Sequence, residues 1–346
     1  MRVLVASSNR GVNGAAVYAR RILLHLRAAG HEAVLACEED SWIGRDLPAD
    51  VPVLRTDFAR WPFDEADRVA AWCRRRGVEL VHSHLTRSGN FAALLRLRHG
   101  LRSVAHLHAN HPQLHTGCHD LLVAVSADVA RRHRLLPWNW SAEVVTLPNF
   151  VDAAEFRPAA AGEPDGLRAA LGVASEVPVV AVVGLISRRK GQDLALRAFA
   201  ELRRNRPDAV LAVIGGGALP AELPLDGVRL LGHRDDIARL LPHASVVLVP
   251  SREEPFGLAA IEAMACEVPV VAFAVGGLAE VISGGAGVAV PAGDCAAMAA
   301  AMSGLLADEA ARREQARTGR MSALARYGKE AHLAALVGQF RRVLAQ

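Results

Sequence analysis

Two carboxylates, Glu254 and Glu262, stand with seven residues between them in the stretch Ala244–Gly277, ASVVLVPSREEPFGLAAIEAMACEVPVVAFAVGG. Between them Phe256, Gly257 and Leu258 supply backbone amides. If a helix starts near Gly257, those amides are free donors at its positive end, a ready site for phosphate oxygens. A carboxylate on the loop and another one turn into the helix can hold hydroxyls on either side of a diphosphate. That describes a nucleotide-sugar better than a bare nucleotide. Glu is also ordinary in a first helical turn, so Glu262 taken alone is equally a helix-start acid. A second candidate lies in SRRKG, Ser187–Gly191. Lys190 brings a point charge, and the free amides of a Gly-bounded loop add donors, which together make a phosphate cradle. The competing reading is a basic turn that is only solvated. Lys190 and Lys329 are the sole lysines among 40 basic residues, so a Lys retained in this loop stands out.

The elements that must position these groups follow from pattern. Ser245–Val249 is a short β-branched run, as in a strand buried on both faces of a parallel sheet, and Pro250 stops it. Ser251–Gly257 reads as a loop at the carboxyl edge of that sheet, where open α/β folds place ligands. Leu258–Cys266 suits a short helix and Val268–Phe273 a further strand. Upstream, Val177–Ile186 runs into SRRKG, and a helix is expected from Gln192 to about Asn205. Val210–Ile214 and Val228–Leu231 are strands, the latter followed by GHRDD (Gly232–Asp236). Helices are expected over Ala296–Ala307, Asp308–Ala325 and Lys329–Leu344.

The first half opens with a strand, Val3–Ala6, the loop SSNRGVNG, a helix from about Ala15 to Ala29, and a strand His31–Cys37. This is a βαβ unit whose loop can approach a phosphate closely. The loop is one Gly short of the dinucleotide fingerprint, with Glu38 near the expected ribose acid, so an NAD-dependent Rossmann oxidoreductase is one reading. Asp64–Arg76 and Phe91–Arg98 are helical. Val78–Val81 is a strand ending in His82-Ser83-His84, and Ser103–Leu107 leads into His108, followed by His111, His115, Cys118 and His119. Zinc is one reading of these histidines, but the spacings are irregular, with no pair of ligand doublets. Leu121–Val125 and Val144–Leu147 are further strands, and residues 159–177 form a connector with one short helix.

With 346 residues, 51% of them apolar and 22% charged, the chain suits two folded domains without a long disordered tail. A net charge of +4 argues against wholesale nucleic-acid binding. The five cysteines are odd in number, scattered and never in a CxxC, which favours a reducing compartment. The start lacks the apolar run of a signal peptide, and no run approaches the ~18 residues of a membrane span, so a cytoplasmic location is expected. Residues 1–150 carry nineteen Arg against fourteen acids. Arg87, Arg96, Arg98, Arg102 and ARRHRLLPWNW (Ala130–Trp140) join cations and Trp, which suits peripheral contact with an anionic membrane at the inner face. An Arg-rich solvated face is the plainer reading.

The run E-P-F-G-L-x-x-I-E-A-M-A-C-x-x-P-V-V resembles the donor-site signature of family-4 retaining glycosyltransferases of the GT-B fold. PNFVDAAEFRP (Pro148–Pro158) is similar to that family's domain-junction segment, with Phe150 where Gly is usual. The resemblance implies an α/β fold of two Rossmann-like doubly wound domains facing a cleft. These would be an N-terminal acceptor domain over 1–150 and a donor-binding domain over 151–327, with a last helix, 328–346, crossing back to the first. It implies a nucleotide-sugar donor, a saccharide or lipid-linked acceptor, and no metal or cofactor. It places Glu254 against sugar hydroxyls, Glu262 against the ribose, and His108, at the end of VAHLH, beside the donor sugar. Gly14, in a loop resembling G-G-x-x-R, and the 256–258 amides would face the donor phosphates.

In the family motif G-R-x-x-x-x-K-G both cations grip the diphosphate. Here Lys190 is in place but Leu185 holds the Arg position, leaving Arg188, or Arg189, to supply the second charge. Glu267 replaces a usual Gly past the helix end, away from the site. Catalytic roles thus fall on His108, Lys190 and Glu254. Leu185 and the loose first loop also allow an inactive scaffold that binds a nucleotide or sugar without turnover, or an inactive partner subunit.

Overall fold

The computed structural model describes residues 1–58, 63–140, 142–219 and 225–346. The chain divides into two compact units, one formed by Met1–Asn149 with Glu330–Gln346 and the other by Phe150–Lys329.

The first unit contains β1 (Arg2–Ser7), α1 (Gly14–Ala28), β2 (Glu32–Cys37), β3 (Val53–Arg55), α2 (Phe63–Arg76), β4 (Leu80–His84) and α3 (Thr86–His99). β5 (Arg102–Leu107), β6 (Leu121–Ala124), α4 (Ala127–Arg134) and β7 (Val144–Thr146) follow. All its strand pairings are parallel, in the order β3-β2-β1-β4-β5-β6-β7. One face packs Leu4, Ala6, Val34 and Val81 against Val69, Ala70 and Cys73 of α2 and Phe91 and Leu95 of α3. Strand residues alternate between faces, so His82 and His84 share the opposite face.

The second unit contains α5 (Gly166–Leu171), β8 (Val179–Val183), α6 (Gln192–Arg203), β9 (Val210–Ile214), β10 (Val228–Gly232), α7 (Ile237–Leu240) and β11 (Val246–Val249). α8 (Leu258–Ala265), β12 (Val270–Phe273), α9 (Gly276–Val281), β13 (Val288–Val290), α10 (Cys295–Ala307) and α11 (Glu309–Tyr327) complete it. Its parallel order is β10-β9-β8-β11-β12-β13. Val180, Val182, Leu211, Val213, Leu248 and Phe273 meet Leu196 and Phe199 of α6 and Met298 and Met302 of α10. The last helix, α12 (Lys329–Leu344), puts Phe340 against His82 of the first unit, with ring centroids 5.1 Å apart.

Each sheet reverses its winding once, between β1 and β4 in the first unit and between β8 and β11 in the second. Loops leaving the carboxyl ends of such adjacent strands diverge and leave room for a ligand. SRRKG follows β8 and SREEPFG follows β11, so the two segments singled out by chemistry flank the switch point of the second sheet.

Candidate active site

Between β8 and α6, Gln192 is 2% exposed and its amide shapes the loop. Its Oε1 accepts from Ser187 N (3.2 Å), and its Nε2 donates to the carbonyls of Gly184 (3.3 Å) and Leu185 (3.1 Å). Gly191 caps α6 in the left-handed region at φ 71°, where a Cβ would lie 2.0 Å from the carbonyl oxygen of Pro250. Only Gly permits that approach. The two loops are stitched further. Arg252 N donates to Arg189 O (2.8 Å) and Arg252 Nη1 to Arg188 O (2.8 Å), while Arg252 holds Asp193 with two bonds of 2.7 Å. Arg189 Nη1 reaches Glu253 O at 3.2 Å, which engages it in the loop, while the Arg188 side chain is exposed.

The stitching brings Lys190 Nζ to 2.5 Å from Glu254 Oε2, which also accepts from Ser251 Oγ at 3.1 Å. Glu254 is buried, not at a solvated loop tip. Lys190, Gln192, Ser251, Glu254 and Gly257 line a recess of about 10 Å³, water-sized, so the ion pair itself fills the floor of the site. α8 begins at Leu258 with Gly257 (φ 109°) as its cap, and among the described residues it has no side-chain cap bond. The Phe256 ring is buried edge-on against Tyr327, centroids 5.3 Å apart, so Phe256 offers a ligand only its backbone. Glu262 lies one turn into α8 and is buried. Leu185 is 54% exposed, a rim residue doing nothing for the core.

In the first unit Gly14 opens α1, and Asn13 Oδ1 caps it by accepting from Ala16 N at 2.9 Å. Glu38 pairs with both Arg10 and Arg87. The acid that an NAD reading needs for a ribose is therefore spent on two guanidiniums. His108 follows β5, and its Nε2 lies 3.0 Å from His84 Nδ1. The next carbonyl, Ala109, accepts from His133 Nε2 at 3.2 Å. Tyr18 of α1 packs on the rings of His84, His106 and His108, and its hydroxyl meets His332 Nε2 at 2.8 Å. His332 Nδ1 must donate to Pro148 O (2.8 Å), so its Nε2 accepts the Tyr18 proton. His84 does not line a surface; it is fully buried. Burial pushes His82 and His108 down to about 3 and holds His84 and His106 well below the ordinary imidazole value, so all four are neutral near pH 7.

Two groups of histidines are joined ring to ring. His115 donates to Gln113 Oε1 (2.8 Å), accepts from His119 Nε2 (3.0 Å), and His119 accepts from Ser103 Oγ (2.7 Å), a satisfied one-way chain. His82, His84 and His106 converge and leave His82 Nδ1, His84 Nε2 and His106 Nε2 without partners. The His82 Nε2–His106 Nδ1 contact of 3.2 Å holds one proton, so one of that pair's two outer nitrogens must carry a hydrogen. At most two of the three unpartnered atoms are then lone pairs while that contact holds its proton.

Residues 12–155 match the family model described as Glycosyltransferase Family 4, and residues 177–308 match Glycosyl transferases group 1. D-inositol 3-phosphate glycosyltransferase 1 of Catenulispora acidiphila is 30% identical over 88% of this chain and 82% of its own length. The chain belongs to the family-4 glycosyltransferases. That membership overturns the oxidoreductase reading. D-inositol 3-phosphate glycosyltransferase of Mycobacterium marinum is 33% identical over 82% of this chain and 72% of its own. The HepE protein of Anabaena, solved with UDP-glucose, superimposes with a TM-score of 0.84 at 21% identity, over 99% of this chain and all of that one. Two Rossmann-like domains of the GT-B kind are the fold this glycosyltransferase shares with it. Among the described residues no helix is long and apolar enough to cross a membrane.

Sequence reasoning placed Lys190, Glu254, Phe256, Gly257, Leu258 and Glu262, which the second unit gathers around one switch point. Gly14 and His108 belong to the first unit. It missed Gln192, Asp193 and Arg252. The polar Gln192 directly after K-G, opening a helix that is apolar over Leu194, Ala195 and Leu196, was a usable signal; Arg252 and Asp193, 59 residues apart, left none.

Proposed function

We propose that this glycosyltransferase moves a sugar from a nucleoside diphosphate sugar to an acceptor hydroxyl with retention of the anomeric configuration. The observation that carries this reading is the Lys190–Glu254 pair set beside the uncapped amino end of α8. The bond from anomeric carbon to phosphate oxygen breaks, its electron pair goes to the β-phosphate, and the acceptor oxygen bonds on the same face. The acceptor proton leaves with the phosphate. Lys190, the 257–258 amides and Arg188 stabilise the developing phosphate charge in place, with no metal or cofactor in the reading. Glu254 and His108 orient the sugar, Glu262 binds the ribose, and Gly14 faces the phosphates. Gly232–Asp236 meets the base through its main chain.

The acceptor is a saccharide, a lipid-linked glycan or, as the relatives' names suggest, a phosphorylated cyclitol. Peripheral contact with anionic membrane would use Leu135 (72% exposed), Trp140 (85%) and neighbouring arginines; flotation with anionic liposomes at low salt tests it, and absence of binding removes it. Most of those arginines already face carboxylates, Arg96 and Arg102 sharing Asp120 and Arg131 and Arg132 sharing Asp128, which limits the charge they offer.

The primary test is thermal shift with UDP, GDP, ADP, their sugar conjugates and NAD on wild type and Lys190→Ala. A ligand at a hundredfold over its Kd stabilises by about 2.7 kcal/mol. One nucleoside diphosphate should raise the melting temperature of wild type and not of the variant. If no nucleotide raises the melting temperature, the inactive partner subunit is favoured, for which exposed Leu185 in place of Arg is the specific observation. Proton NMR of the product then reads its anomeric configuration.

A further inference from the structure

We propose that His84 is a positioning residue whose Nδ1–H donates to His108 Nε2, leaving His108 to present its Nδ1–H to the donor sugar. The proposal rests on the reading that His108 contacts that sugar. A neutral imidazole has one N–H and one lone pair, so the 3.0 Å contact between the two rings holds a single proton. Were His108 the donor, His84 would carry its own hydrogen on Nε2, which is buried without a partner. With His84 as donor, the unpartnered atom is a lone pair. Buried donors left without acceptors are the rarer and costlier case, so the second arrangement prevails.

The surroundings fix His84 from three elements. It ends β4 with its ring 4.3 Å from that of His82 and 5.7 Å from that of Tyr18 on α1. Leu85, at φ 76°, turns the chain sharply after it, and Ser88 Oγ on α3 donates to the His84 carbonyl. On the other side, His133 secures the carbonyl after His108. Desolvation holds both rings neutral, so no charge competes for the shared proton.

Long-range ¹⁵N–¹H NMR of the full chain labelled at histidine, with His108 assigned through His108→Gln, reads the tautomer directly. His108 should show a protonated Nδ1 and a bare Nε2; the reverse tautomer overturns the proposal. In turnover assays His84→Leu should lower kcat by about tenfold, the loss of one hydrogen bond of ordinary strength. His84→Asn, which can place an N–H near the lost Nδ1, should restore most of it. Equal loss in both variants, or none in the Leu variant, defeats the positioning role. If His108→Ala keeps full activity, the sugar-contact reading fails instead, and the NMR result still decides the bond.

Discussion

Gly191→Ala tests how tightly the two loops of the donor half are joined. Gly191 sits at φ 71°, and alanine in the left-handed region costs about 1–2 kcal/mol. Its Cβ would lie 2.0 Å from the Pro250 carbonyl oxygen, a backbone atom that must retreat by about an ångström. Forced overpacking of that kind costs a further ~1–3 kcal/mol. The sum, about 2–5 kcal/mol, falls on a unit of about 180 residues (Phe150–Lys329), where each kcal/mol moves the melting temperature by roughly 2–4 °C. A drop of about 5–15 °C in calorimetry is expected. Gly293→Ala is the matched control: its φ is 81° and nothing lies within 4 Å of the added carbon, so only the first cost applies. The retreat also shifts Lys190 from Glu254, so donor affinity should fall in Gly191→Ala and hold in Gly293→Ala. Equal melting temperatures for the two variants would refute the close approach and the reasoning built on it.

Lys190→Met should destabilise by about 3 kcal/mol or more, since it strands the buried Glu254 carboxylate, whereas the double variant with Glu254→Gln recovers stability in urea titrations but not turnover. Acid should unfold the first unit early. His82 falls to about 3 and His115 and His332 to about 4, all below the free value of 6.5, so the unfolded chain takes protons first. Stability is complete above 6.5 and declines below it, each of these buried rings costing about 2 kcal/mol by pH 5; circular dichroism against pH should show the loss, and flat stability down to pH 4 would sink it. Glu267 follows the end of α8 at φ 59°, so Glu267→Gly should raise the melting temperature by about 2–4 °C, the 3.9 Å ion pair of this exposed carboxylate with Arg320 being worth little.

The donor half was legible because its signals are local. Val210–Ile214 was bounded from its apolar run as it stands, and the strands flanking SRRKG and SREEPFG were placed within a few residues. Glycine and proline punctuate that region, and the carboxylate spacing survives any small error in boundary. What stayed illegible depends on residues far apart in the chain. That Glu254 would be buried against Lys190 needed β8 and β11 to be neighbours, which no window of sequence states. The histidines misled for the same reason. His82 and His84 looked like the tip of a strand, but β4 runs through them, and alternation turns both inward, His84 against Tyr18 and His82 against Phe340. The short strand β3 and helix α9 carry too few residues to show a period.

The N-terminal unit is assembled from two separated stretches of chain, and this has a consequence for biosynthesis. As the polypeptide leaves the ribosome, residues 1–149 emerge without Phe340 and His332, which fill the space beside His82 and Tyr18. Residues 1–149 hold all seven strands of the first sheet and 150–329 all six of the second, so only the α12 packing of the first unit waits for the end of the chain. The unit that starts first is therefore the last to be completed. Until α12 arrives, the nascent first unit presents an unfinished histidine-lined face, and chaperone engagement should be concentrated in that interval of translation.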